Sequence, residues 1–112
     1  MTFAKLTSRE WALLLKSPDS FVGRGYQVWA CISTFDATTG PGAFLGQASF
    51  AIQTYWYLKG TPAAFTGDPA KLAPFVKGDV VFMKATVLGF GYGLVQFRVV
   101  GISSKGSCAR YI

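Results

Sequence analysis

The sequence predicts an all-β fold with short helices: a five-stranded antiparallel Greek-key barrel carrying an N-terminal helix. Three features predict it. Apolar residues alternate with period two in several segments after residue 25, as half-buried strands require. Clusters of Gly, Pro, Asp and Thr punctuate those segments. Helical patterns are confined to one stretch near the N-terminus and one brief stretch after Asp68.

Thr7-Ser8-Arg9-Glu10 reads as a capping box, in which the Thr7 hydroxyl accepts from the Glu10 N–H and the Glu10 carboxylate reaches back to the Thr7 N–H. Leu6 and Trp11 occupy the two positions of a hydrophobic staple. The helix runs to about Lys16, because Pro18 disfavours helical geometry at Ser17. Trp11, Leu14 and Leu15 form its apolar stripe.

From Tyr26 to Phe35 the period changes to two, with Val28, Ala30 and Ile32 on one face and Gln27, Trp29, Cys31 and Ser33 on the other. Asp36-Ala37-Thr38-Thr39-Gly40-Pro41-Gly42 is a turn. Ala43 to Gln53 is expected as a second strand, with Phe44, Ala48, Phe50 and Ile52 inward. Thr54 to Lys59 is expected as a third, extended by Ala63-Ala64-Phe65-Thr66 after a break at Gly60-Thr61-Pro62.

Asp68-Pro69 is an N-cap followed by proline at the first helical position, and Pro74 keeps that helix short. Asp79–Leu88 is the fourth strand, with Val81, Met83, Ala85 and Val87 inward. Gly89-Phe90-Gly91-Tyr92-Gly93 is a hairpin tip. Leu94 to Ile102 is the fifth strand, with Val95, Phe97 and Val99 inward and a bulge at Val100-Gly101 that turns Ile102 inward. Residues 104–112 are expected as a loose tail. A helix, three strands, a short helix and two strands is the order of an OB-like barrel, whereas an immunoglobulin-like sandwich needs about seven strands.

Composition narrows function. The 112 residues are 51% hydrophobic and only 14% charged, against roughly 25% charged in an ordinary soluble domain, which excludes intrinsic disorder. With no His, a single Glu (Glu10) and four scattered Asp, the chain lacks the common general bases, and no catalytic residue is assigned. Asp36, Asp68 and Asp79 read as a turn former, an N-cap and a strand-start residue. No cofactor is implied. Gly89 to Gly93 is not a phosphate loop, since no Lys-Ser/Thr and no helix follow it.

Cys31 and Cys108 cannot complete a usual zinc site without histidine, so no metal is assigned. The N-terminus has no signal-peptide layout, and free thiols in a reducing cytosol are therefore expected. No apolar run approaches the ~18 residues of a membrane span.

The stretches Arg9-Glu10-Trp11, Pro18-Asp19, Gly23 and Phe35-Asp36-Ala37-Thr38-Thr39-Gly40 resemble an uncharacterised OB-like domain family of actinobacteria and their phages. Phe65-Thr66-Gly67-Asp68 and Leu72-Ala73-Pro74-Phe75-Val76-Lys77-Gly78-Asp79 are similar to its second block. The resemblance spans roughly Thr7 to Ser103. It implies an OB-like domain that often follows a membrane anchor, and it carries no activity and no catalytic residue. This chain shows no anchor and a shorter last hairpin, which suits a phage protein made in the host cytoplasm.

Eleven Lys and Arg against five acids give a charge of +6, which favours acidic partners. The cations are scattered singly, however. The first expectation is a protein-interaction module, self-associating or engaging a host protein, with Tyr55, Tyr57, Phe90 and Tyr92 as contact residues. Outward Trp29, Val80, Phe82 and Leu88 would add an apolar patch unless the N-terminal helix covers them. The alternative is a single-stranded nucleic-acid binder that uses the same aromatics with Lys59, Lys84 and Arg98. Convergence of those cations and Lys105 on exposed aromatics would favour the nucleic-acid reading.

Overall fold

The structure, a computed structural model, describes residues 2–109. Five strands close into a barrel in the order β1-β2-β3-β5-β4. They are β1 (Gly25–Thr34), β2 (Ala43–Ser49), β3 (Thr61–Thr66), β4 (Asp79–Gly91) and β5 (Leu94–Ser107). All neighbours are antiparallel except β3 and β5, which run parallel. This is the OB-like barrel that the element order predicts, with α1 (Ser8–Lys16) before it. A short helix, α2 (Trp56–Lys59), precedes β3, and another, α3 (Pro69–Leu72), joins β3 to β4.

The inward faces of β1, β4 and β5 are those the alternation indicates, as are Phe44 and Ala48 of β2, whereas Ile52, expected inward, lies beyond β2 and is exposed. Val28, Ala30, Ile32, Phe44, Val81, Met83, Ala85, Val87, Val95, Phe97 and Val99 are all buried in one cluster. An aromatic run threads this interior. Ring centroids of Phe35–Phe44, Phe44–Phe65, Phe65–Phe97 and Phe97–Trp11 lie 5.6, 5.0, 5.3 and 6.3 Å apart. The run ends on α1, whose Trp11 and Leu14 close one mouth of the barrel. The capping box forms: the Thr7 hydroxyl accepts from the Glu10 N–H at 3.1 Å and the Glu10 carboxylate from the Thr7 N–H at 3.0 Å. The Thr7 N–H, and after it the Thr7 hydroxyl, hold the Glu10 carboxyl below its ordinary value by hydrogen bonding to its charged form. The bulge at Val100 is present, since Lys84 pairs with Gly101 and Ala85 with Val99, and Ile102 packs against the core.

Three expectations are corrected. First, β2 ends at Ser49 rather than Gln53, and Tyr55-Trp56-Tyr57 lies on α2 rather than on a third strand. Gly60 permits this: a Cβ there would stand 2.7 Å from the Trp56 carbonyl oxygen and 2.8 Å from the Gln47 Cβ. Second, the tail is not loose from 104 onward. The fifth strand continues to Ser107, opposite Asp79, and the Cys108 N–H donates to the Gly78 carbonyl at 2.7 Å. Residues 110–112 of the expected tail lie outside the described residues. Third, the cysteines are not free thiols. Cys31 and Cys108 form a disulfide across 77 residues of sequence, and both are buried.

Cross-linking a loop of that length restricts the unfolded chain by about 4 kcal/mol in the chain-entropy account. Urea unfolding is therefore expected to show a loss of about that size for Cys31→Ser with Cys108→Ser. The same loss is expected for the native chain in reductant. An unchanged midpoint in both would mean that the bond contributes nothing to the fold.

Candidate functional site

The surface around α2 begins with residues on the outer side of the barrel. Trp29 and Cys31 alternate outward on β1, where they pair with Phe82 and Val80 of β4. The Trp29 and Phe82 rings are 5.0 Å apart. The disulfide brings Cys108 onto this face, and Trp56 lies over it at 1% exposure. Cys31, Trp56, Val80 and Cys108 thus form a second, separate core outside the barrel, with Trp29 against it. Val80 is buried, Trp29 and Phe82 are half-buried and Leu88 is exposed, so the expected outward patch is covered in part. The cover is Trp56 and the disulfide. It is not α1, whose apolar side faces the barrel interior.

With Trp56 directed inward, its neighbours must face solvent. One turn of helix, closed by Lys59 N–H to Tyr55 O at 2.9 Å, turns Tyr55, Tyr57 and Leu58 outward. Leu58 is 81% exposed, and Ile52 is exposed in the loop just before. Tyr55, Tyr57 and Leu58 make an apolar projection anchored by a buried tryptophan.

Phe90 and Tyr92 lie on a different element, the β4–β5 hairpin. Its loop is only Tyr92-Gly93, both with positive φ, 54° and 77°, between the paired Gly91 and Leu94. Such a two-residue loop suits Asn-Gly. A tyrosine there costs about 1–2 kcal/mol of backbone strain while its side chain is 100% exposed. Phe90 is tied to the turn after α1, because its N–H donates to Asp19 Oδ1 at 3.0 Å. It lines a cleft there with Leu15, Lys16 and Pro18. The four aromatics therefore form two pairs. In register, Ala63 of β3 lies beside Val95 of β5, so the hairpin tip stands level with the start of β3, just after α2.

The cations do not converge. Lys59 is on α2, at the start of β3, whereas Arg98 pairs with Thr66 at its far end. Lys84 and Arg98 share the outer face of β4–β5 as diagonal neighbours, but Lys84 is flanked by Gln27 and Gly101. Lys105 sits at the irregularity between Val80 and Val81, near the end of β5. The outward positions of β2 and β3, where OB folds commonly stack bases, carry Leu45, Gln47, Pro62 and Ala64 and no aromatic.

A feature missed from the sequence is an apolar cleft of about 460 Å³ at the opposite end of the β2–β3 pair. Phe35, Pro41, Pro69, Ala73 and Phe75 line it, between the β1–β2 turn and α3. Its signal in the sequence is the pair Phe35 and Phe75, aromatics beside turns, the first at the end of the first strand's alternation and the second after the Asp68 helix. Asp36 is the one charged residue of the lining. The Thr38 hydroxyl and N–H both donate to its carboxylate, and with Lys77 nearby they hold it below its ordinary 3.8.

No protein-family model, curated protein or solved structure matches the chain. Among the described residues no group of His, Cys, Asp and Glu is arranged to hold a metal ion. No helix among them is long and apolar enough to cross a membrane.

Because the folded Asp36 titrates below its unfolded value, its turn contributes in full above the unfolded value. That contribution is lost as pH falls through the folded one. The stability difference between the native chain and Asp36→Asn is expected to be larger at pH 7 than at pH ~3, where the carboxyl begins to protonate. Chemical denaturation at the two pH values checks it, and a difference of equal size at both would contradict it.

Proposed function

We propose that this chain is a non-catalytic protein-interaction module that self-associates through the apolar projection on α2. Tyr55 and Tyr57 act there with Leu58, and Phe90 and Tyr92 form a second contact on the hairpin. The observation that carries the reading is the orientation of α2. A buried Trp56 and a disulfide-backed core hold a one-turn helix so that its remaining apolar side chains face water. Exposed, contiguous apolar and aromatic groups on a rigid support are the composition of interface centres, where Tyr and Trp dominate the energy. The strained and fully exposed Tyr92 supports the second contact, since a residue kept at such a cost is selected for something other than stability.

A single-strand binder has less support. Most of its affinity would come from phosphate neutralisation, and Lys59, Lys84 and Arg98 lie at separated places. The buried disulfide supports a compartment in which disulfides persist, rather than the reducing cytosol expected from the sequence. The resemblance to actinobacterial and phage domains makes a host protein the next partner to test if the chain does not bind itself.

Light scattering across a concentration series tests the reading. The native chain is expected to exceed the monomer mass at high concentration, and Tyr57→Ser with Leu58→Ser to remain monomeric with an unchanged circular-dichroism spectrum. The reading fails if the double variant assembles like the native chain. It also fails if short single-stranded DNA binds tightly at low salt and releases steeply as salt rises.

A further inference from the structure

The projection and the cleft are opposite in shape and lie at opposite ends of the same strand pair. In β2–β3, Ala48 pairs with Thr61 at the α2 end and Ala43 with Thr66 at the cleft end. Five residue steps separate those pairs, roughly 17 Å of strand. One molecule therefore cannot place its own α2 in its own cleft. Its volume, about 460 Å³, lies within the range of ligand clefts, roughly 300–1,000 Å³. A small-molecule site needs several convergent polar groups to orient its ligand. Here the only charged lining group is Asp36, whose carboxylate already accepts from Thr38. An apolar side chain followed by a cation suits this lining, and the sequence Leu58-Lys59 presents that pair outward.

We infer that the chain associates head to tail, Leu58 and Tyr57 of one copy entering the cleft between the β1–β2 turn and α3 of the next, with Lys59 reaching Asp36. The inference rests on the reading of α2 as the contact surface. Two different surfaces meet in such an interface, so every open assembly keeps one free projection at one end and one free cleft at the other, and association continues beyond a dimer unless a ring closes.

The test uses two variants at exposed positions, Leu58→Glu on the projection and Ala73→Glu in the cleft, with circular dichroism to check the fold. Each alone is expected to weaken assembly at least ~tenfold and to run as a monomer where the native chain does not. Mixed in equal amounts, they are expected to form a particle of twice the monomer mass and nothing larger. The intact cleft of one accepts the intact projection of the other.

If both variants are monomeric and the mixture stays monomeric, the interface is not head to tail. Association of Ala73→Glu like the native chain would exclude the cleft while leaving α2 as the contact surface. Association of Leu58→Glu like the native chain would overturn the α2 reading and this inference together. A native chain that stays monomeric throughout would overturn self-association in both forms.

Discussion

The Cys31–Cys108 bond joins the outward face of β1 to the residue that follows β5, and the structure outside the barrel is organised around it. The barrel interior is self-sufficient: its aromatic run and branched side chains are closed at one mouth by α1. The outer face is different. Val80 and Trp29 on their own would leave a shallow apolar strip on β1 and β4. Adding Cys108 from the far end of the chain deepens it enough to seat Trp56 almost fully. Apolar burial at about 25 cal/mol per Å² gives that tryptophan reason to turn inward. Once it does, a single helical turn sends Tyr55, Tyr57 and Leu58 the other way.

The exposed surface is thus a consequence of the covered one. A four-residue helix has no stability of its own. Its conformation comes from Trp56 beneath it and from Gly60 behind it, where even a methyl group would strike the Trp56 carbonyl. At the other end of β2–β3, the turn holding Asp36 is fixed by Thr38 and Thr39, and α3 by the Asp68 cap, so the cleft between them is also built from rigid parts. Projection and cleft are both held in place before any partner arrives, which lowers the ordering cost of association.

The parts of the fold readable from sequence were those set by local periodicity. The faces of β1, β4 and β5, the capping box and the Asp68 helix follow from neighbours within a few residues. Two misreadings share one physical cause. Tyr55-Trp56-Tyr57 is rich in strand formers, and residues 103–107 have no apolar alternation at all, so locally the first reads as strand and the second as tail. Both conformations are decided by a contact across 77 residues, Cys31 with Cys108. Taking the cysteines as free thiols removed the one clue to it. The exposed aromatics were recognisable as residue types, but their separation into two pairs depends on α2 and the hairpin being different elements. The cleft could not be read from local periodicity because its walls come from two segments distant in sequence, the β1–β2 turn and the α3 region.

The most direct test is a dilution series of amide ¹H–¹⁵N spectra of the disulfide-intact chain. The account predicts concentration-dependent shifts at Tyr57, Leu58 and Lys59 on α2 and at Asp36, Gly40 and Ala73 around the cleft. The outer β4–β5 face around Lys84 and Arg98 should stay constant. Shifts centred on Lys84 and Arg98, or spectra that do not change with concentration, would contradict it.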